Sequence, residues 1–429
     1  MDSSAMPVWD LIVIGGGASG MSAAIAYQRA CRDARKEPGT VLILEKNDRV
    51  GKKILATGNG RCNLSNKDMQ FSHFHSHEKS FPSEVLDLVP QKESLIFLEE
   101  LGILTTAEGN KMFPVSKTSS SVVDAFRFAL DDYDISLIEQ SSVTEIKKEE
   151  NFIISTLDEQ TYQAKQVIVA CGGACAASLG TTGDGYRWLS QLGHRVYAPK
   201  PSIVQIVTEN AVTKALSGLK LECDLSLIAE DVVVARQFGE VLFADYGLSG
   251  PAVFQVSGEV SRRMKKNQLS VPMKVTLQLF DEATLRSLRS EMIRRREAFA
   301  DRTLDHLLLS ILPAKIGNMI LKTALHRPLS LHIASLSDAD LDAVIRTLRI
   351  WSFDVIGTRS LEYAQTTIGG ADCSEFDPKT LESKIVSGLY GCGEVLDVDG
   401  DCGGYNLQWA FSSGILAGRS AYARAFGGV

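Results

Sequence analysis

Three glycines at fixed spacing, Gly15-x-Gly17-x-x-Gly20, follow an apolar run from Leu11 to Ile14 and precede an Ala-rich stretch from Met21 to Ala30. A strand that feeds a helix through such a turn is built to hold a dinucleotide. Gly15 permits the tight turn, Gly17 leaves no Cβ in the path of a pyrophosphate, and Gly20 lets helix and strand pack closely. Ala18 and Ser19 lie at the start of that helix, where unpaired N–H groups and a partial positive charge attract a diphosphate. A second apolar run, Val41 to Leu44, ends at Glu45. A carboxylate there accepts hydrogen bonds from both ribose hydroxyls of an adenosine and repels a 2′-phosphate. The pattern specifies an adenine dinucleotide and leaves FAD and NAD both open.

Other residues could join such a site. Near the C-terminus, Gly393-Glu394 is followed by Asp397, Asp399, Gly403-Gly404-Tyr405-Asn406 and a helix expected from about Leu407. Backbone N–H groups of that turn can face a flavin, and Asp397 or Asp399 can bind ribityl hydroxyls. The helix start would place its positive end at the pyrimidine side of the isoalloxazine. The loop GKKILATGNGRCN, residues 51–63, carries Lys52, Lys53 and Arg61. The lysines read as a solvated basic loop, and Arg61 as either part of that loop or a contact to pyrophosphate or to an anionic substrate. Cys62 is the thiol best placed to approach a flavin. Cys171 and Cys175 lack the spacing of a redox pair, so inert buried cysteines are expected there. His73, His75 and His77 alternate as metal ligands on one strand face would, but no carboxylate or cysteine at suitable spacing completes a set, and an exposed polar loop is expected. Asp245, Tyr246 and His194 are candidate proton donors.

Longer strings resemble a known family. Leu44-Glu45-Lys46-Asn47, Gly51-Lys52-Lys53, Thr57-Gly58-Asn59-Gly60-Arg61-Cys62-Asn63, Thr182-Gly183-Asp184-Gly185, Gly247-Leu248-Ser249-Gly250-Pro251 and Gly393 to Gln408 are similar to the HI0933-like (YhiN-like) flavoproteins. That group includes 3-dehydro-bile-acid-reductase-like and aminoacetone-oxidase-like proteins. The resemblance spans nearly the whole chain and implies FAD. It implies an α/β fold: a Rossmann-type FAD-binding domain of the glutathione-reductase type, built from both chain ends, with an inserted β-rich domain carrying a helical part. By the same resemblance the cofactor is held by Gly15, Gly17, Ala18, Ser19, Gly20, Glu45, Lys46, Lys53, Gly58, Asn59, Gly60, Arg61, Cys62 and Asn63. Val143, Gly172, Gly173, Asp184, Gly393, Glu394, Asp397, Gly404, Asn406 and Leu407 complete that set. The chain departs from the family pattern at Ala244-Asp245, where a Thr-His pair is frequent, so substrate identity is not carried over.

The elements that must position these residues can be read around them. Short strands from Val143 to Ala170 suggest a meander ending in a buried strand. Helices are expected between Glu84 and Leu101 and between Ser121 and Leu130, and residues 284–350 read mostly helical, Arg294-Arg295-Arg296 lying on a solvated face. The expected domains are 1–195 and 361–429 for the cofactor and 196–360 for the substrate. With 429 residues, a net charge of −7, 45% apolar and 23% charged residues, the composition is globular and disfavours a nucleic-acid partner. No apolar run reaches the length of a membrane span. An acidic, strand-length N-terminal run and eight scattered cysteines without CxxC suggest a reduced, cytoplasmic protein.

The expectation is an FAD-dependent oxidoreductase, with adenosine at Gly15–Glu45 and flavin near Gly58–Asn63 and Gly393–Asn406. It would reduce a small organic acceptor by hydride transfer through flavin N5. Only one dinucleotide fingerprint is present, so NAD(P)H would bind transiently as reductant. The alternatives are an oxidase of a small amine or alcohol, and a non-catalytic or tRNA-acting flavoprotein with FAD as structural ligand.

Overall fold

The structure, a computed structural model, describes residues 7–427. Its first compact unit runs to Ser202 and resumes at Ser360. Strands Ser136–Ile138, Val41–Leu44, Val8–Ile14 and Thr161–Val169 lie side by side in parallel, and Leu389–Gly391 pairs beyond Val167–Val169 in the same sense. Leu11, Ile12, Val13, Leu42, Ile43, Val167 and Ile168 are fully buried. Continuous apolar runs are what a parallel sheet covered on both faces requires. The long strand Thr161–Val169 also pairs antiparallel, through its first residues, with Phe152–Thr156, which pairs with Val143–Lys148. The meander thus grows directly out of the parallel sheet.

Helix Ala18–Asp33 packs against the C-terminal helix Tyr405–Phe426. The contact is backbone to backbone. A Cβ on Gly414 would collide with the carbonyl of Ser19, and one on Gly418 with the carbonyl of Ala23. The two ends of the sequence are therefore joined twice, through the sheet at Leu389–Gly391 and through this helix pair. The helix expected between Glu84 and Leu101 is two helices, Phe81–Leu88 and Gln91–Glu100. Pro90, extended at ψ 163, is the N-cap of the second, and its ring cannot continue the first.

The second unit, Ile203–Arg359, contains a closed barrel in the strand order Ile206–Thr208, Gly247–Ser249, Val232–Ala244, Lys220–Ala229, Met273–Gln278 and Trp351–Thr358. Closure leaves no barrel edge unpaired. Helices Glu282–Ala298, Ala314–Leu325 and Asp338–Arg349 share its core, which includes Leu225, Leu227, Phe243, Ile316, Leu341 and Trp351. The Arg294–Arg296 run is not a free basic strip. Arg294 and Arg295 bond Glu291, Arg295 also bonds the carbonyls of Leu307 and Leu309, and Arg296 bonds Asp338. The unit begins later than the 195/196 boundary read from sequence, because strand Val196–Ser202 pairs with Thr366–Ala371 in the first unit. Among the described residues, no helix is long and apolar enough to cross a membrane.

Candidate functional site

The glycine turn has the shape its spacing implies. Gly15 takes φ +109, where a side chain would press on the backbone of Ala170 and Cys171, and a Cβ on Gly20 would overlap the carbonyl of Gly15. Gly17 differs: a Cβ there would meet no atom within 4 Å. Gly17 is the N-cap of helix Ala18–Asp33, and no side chain caps that helix. Its first N–H groups have no intrahelical partner.

Glu45 lies at the end of its strand and is buried. Its Oε2 accepts the N–H of Gly16 at 2.7 Å, and its Oε1 accepts the N–H of Asn47 at 2.8 Å and Asn47 Nδ2 at 2.7 Å. The carboxylate thus fastens the glycine turn to the second strand and retains lone pairs for a further donor. Asn47 escaped the sequence reading, although it stands only two residues after Glu45. Lys46 turns to Thr182 and Asp184, with Nζ 2.6 Å from Thr182 Oγ1 and 2.9 Å from Asp184 Oδ2. Val143 is buried at the start of its strand, opposite Thr156.

The basic loop is not uniformly solvated. Lys53 Nζ lies 2.6 Å from Glu394 Oε2 and 3.2 Å from Cys175 Sγ. Burial works against the ammonium, but Glu394 and Cys175 outweigh it and hold the Lys53 pKa above its ordinary range. Glu394 Oε1 also accepts the N–H of Thr367 at 2.8 Å. Gly173 lies beside it, since a Cβ there would strike Thr367 and Glu394, and Gly172 takes φ +76. One ion pair therefore gathers three distant stretches that each contain an expected site residue. Arg61 behaves oppositely to its expectation: its guanidinium bonds Glu108 at 2.6 Å, stacks over the ring of Phe113, and is substantially exposed. The hairpin Thr105–Glu108/Lys111–Pro114, which carries both partners, draws it there.

Residues 57–63 coil tightly, with Gly58, Asn59, Gly60 and Cys62 all at positive φ. Cys62 is fully buried, and burial pushes its thiol up to about 12. A thiol in that state is a poor nucleophile, which removes Cys62 as a reactive group in the folded protein. Iodoacetamide at pH 8 is expected to leave Cys62 unmodified in the native protein, yet to alkylate it in guanidinium. Peptide mass spectrometry reads the difference, and rapid native labelling would contradict the burial argument.

The loop continues to the C-terminal helix through polar contacts. Ser65 Oγ bonds Gln408 Oε1 at 2.7 Å, Gln408 Nε2 bonds Ser94 and Ser412, and Asn66 Nδ2 bonds the carbonyl of Gly403 at 2.9 Å. Gly404, at φ +102, is the N-cap of Tyr405–Phe426, which again has no side-chain cap. Asn406 clamps Gly400, accepting its N–H at 2.9 Å and donating to its carbonyl at 2.8 Å. Leu407 packs against the core of the same unit. Beside the helix start, Asn63 Oδ1 is buried with no hydrogen-bond partner among the described residues. Gly393 takes φ +73, donates its N–H to Ser413, and sits against Ser19, which a Cβ at 393 would strike. The N-terminal and C-terminal glycine segments thus meet.

The histidine segment is only partly the exposed loop expected: His77 is exposed, whereas His73 and His75 are half-buried. His73 and His75 both bond Asp401, at 2.9 and 2.8 Å, and His73 stacks on Tyr405. His77 bonds Asp397 through its N–H and its ring. Residues Phe74–His75 form a short strand paired with Asp399–Gly400, so they brace the C-terminal glycine segment. Burial raises the Asp397 carboxyl above the usual carboxylate range, against the hydrogen bonds from His77. His194 lies elsewhere, buried between Glu375 and Ser383, where it is a core residue. Asp245 and Tyr246 belong to the barrel unit. They form the turn between Val232–Ala244 and Gly247–Ser249, with Asp245 exposed and Arg359 4.6 Å over the Tyr246 ring.

The sequence pattern of the family described as HI0933-like protein Rossmann domain matches residues 9–420. A 3-dehydro-bile acid delta(4,6)-reductase of Clostridium scindens is 34% identical over 412 residues, 96% of this chain and 98% of that one. The ribosomal RNA dihydrouridine synthase of Haemophilus influenzae is 28% identical, over 94% of this chain and 96% of its own. That of Escherichia coli is 29% identical, over 95% and 96%.

Proposed function

The chain belongs to the HI0933-like family and is an FAD-dependent oxidoreductase, and from that premise we propose that it reduces a carbon–carbon double bond conjugated to a carbonyl, with NAD(P)H as the electron donor. The observation that carries the cofactor reading is the pairing of two uncapped helix starts in one unit, at Gly17 and at Gly404. The open space at Gly17 and the unpartnered acceptor of Asn63 fit an extended dinucleotide with a diphosphate in its middle and a hydrogen-bonding ring at one end. Glu45 would take the adenosine ribose, the start of helix Ala18–Asp33 the diphosphate, and Asn63 with the start of Tyr405–Phe426 the flavin. Lys53 and Glu394 would border it.

Bound FAD would supply hydride transfer at the flavin N5. The protein's part is to fix the ring, exclude water and shape the acceptor pocket. The names of the relatives support the acceptor class, because reduction at delta(4,6) of a 3-dehydro bile acid and formation of dihydrouridine both add hydrogen across a ring double bond. The small-molecule acceptor is favoured by the higher identity to the bile acid reductase. A base in ribosomal RNA is the second reading, supported by the names of the other two relatives despite the net charge of −7.

The test begins without oxygen: NADH or NADPH is added to the purified flavoprotein, and bleaching of the flavin absorbance is expected. A conjugated steroid enone should then restore the colour. Reoxidation by undermodified ribosomal RNA, with mass gain in the RNA and none with enones, would favour the second reading. Failure of both nucleotides to bleach the flavin would reject NAD(P)H and turn attention to amines and alcohols as direct reductants.

A further inference from the structure

The pyrimidine edge of an isoalloxazine presents a carbonyl, an N–H and a second carbonyl in sequence. A protein that reads this edge must place one acceptor among donors. The first unit has such an arrangement at Asn63 and the start of helix Tyr405–Phe426. Asn63 is 9% exposed, and its Oδ1 has no partner among the described residues. An unpaired buried carbonyl oxygen costs about 1–3 kcal/mol, so its persistence points to a donor that arrives from outside the chain. The donors are beside it. A Cβ on Gly404 would lie 2.9 Å from Asn63 Oδ1, and Gly404 opens the 22-residue helix Tyr405–Phe426, whose first N–H groups no side chain caps. Neighbouring polar groups are already satisfied by one another: Ser65 by Gln408, Asn66 by Gly403, and Asn406 by Gly400. These bonds fix the segment from Asn63 to Asn66 against the helix, which holds the one unsatisfied acceptor in place.

Resting on the FAD reading above, we propose that Asn63 is the positioning residue for the flavin ring, its Oδ1 accepting the hydrogen bond of flavin N3–H while the open N–H groups of the helix start donate to the adjoining carbonyl oxygen. Sites built to hydrogen-bond a ligand N–H reject an analogue that lacks it far more strongly than an apolar pocket does, because the buried acceptor is left unpaired.

The experiment compares FAD with N3-methyl-FAD on flavin-stripped protein, by fluorescence titration. Wild type is expected to bind the methylated analogue at least about thirtyfold more weakly. In Asn63→Leu the two ligands should bind within about threefold of each other. Asn63→Asp, which keeps an acceptor, should keep the discrimination. Equal binding of both ligands by wild type overturns this assignment and leaves the FAD reading standing. Binding of neither overturns both. Discrimination that survives in Asn63→Leu assigns N3–H to another residue and also overturns it. Should Asn63→Leu fail to fold, wild type loaded with flavin labelled with nitrogen-15 at N3 decides: a slowly exchanging N3 proton supports the assignment, and rapid exchange with water overturns it.

Discussion

Gly17→Val is expected to yield a folded protein that no longer holds FAD. Gly17 has φ −84 and ψ −171, extended backbone that valine readily adopts. A Cβ at this position meets no protein atom within 4 Å, so the new side chain starts into open space in the apoprotein. The branched side chain would instead fill the space in front of the helix start, where a diphosphate would have to approach the unpaired N–H groups. A loss of at least a hundredfold in FAD affinity is expected, about 2.7 kcal/mol. The far-UV circular dichroism and the melting temperature of the flavin-free protein should match wild type. Purification of this variant with full flavin content would refute the placement of the cofactor.

Gly418→Val should do the reverse, striking stability before binding. A Cβ at Gly418 collides with the carbonyl oxygen of Ala23 and comes within 3.0 Å of its carbonyl carbon and Cα. These are backbone atoms of one helix meeting backbone of another, so no side chain can rotate away. The helices must separate, with the loss of close contacts that begin at Gly414 and Ser19. Overpacking of this kind costs roughly 3 kcal/mol or more. That corresponds to a melting temperature lower by very roughly 6–12 °C, for apoprotein and flavoprotein alike. Wild-type melting in Gly418→Val would mean that the helix pair tolerates a gap, and the tight packing inferred here would fall.

The contrast between these two glycines shows what was legible in the sequence. The Gly15–Gly20 spacing between an apolar run and an Ala-rich stretch carries its own geometry, because each glycine answers a local backbone requirement. Glu45 was visible for the same reason: it ends a run of buried strand residues. The two-ended fold with a middle insertion followed from the order of strands and glycine-rich turns at both ends of the chain, and the long family strings supplied its Rossmann type and the β-rich character of the insertion. What stayed hidden depended on partners far away in sequence. Lys53 read as solvated because nothing near it shows Glu394, 341 residues on. Arg61 read as a ligand contact because it stands in a string shared with the family, whereas Glu108 and Phe113 hold it here. The histidine segment showed no carboxylate at ligand spacing, since Asp397 and Asp401 come from the other end of the chain. The helix at Glu84–Leu101 failed for a local reason that was available, the proline at position 90.

The joining of the two chain ends also sets the timing of biogenesis. Gly20 leaves the ribosome well before Leu389–Gly391 and Gly414, which complete the sheet and the helix pair around it. At about 5–20 residues per second, tens of seconds separate the fingerprint from the segments that close over it. During that interval the nascent chain has a recognisable dinucleotide turn and no finished site, so flavin loading has to wait for the later segments. A chain cut before Leu389 would leave the edge at Val167–Val169 unpaired and lack the helix start at Gly404, and it is expected to purify without flavin.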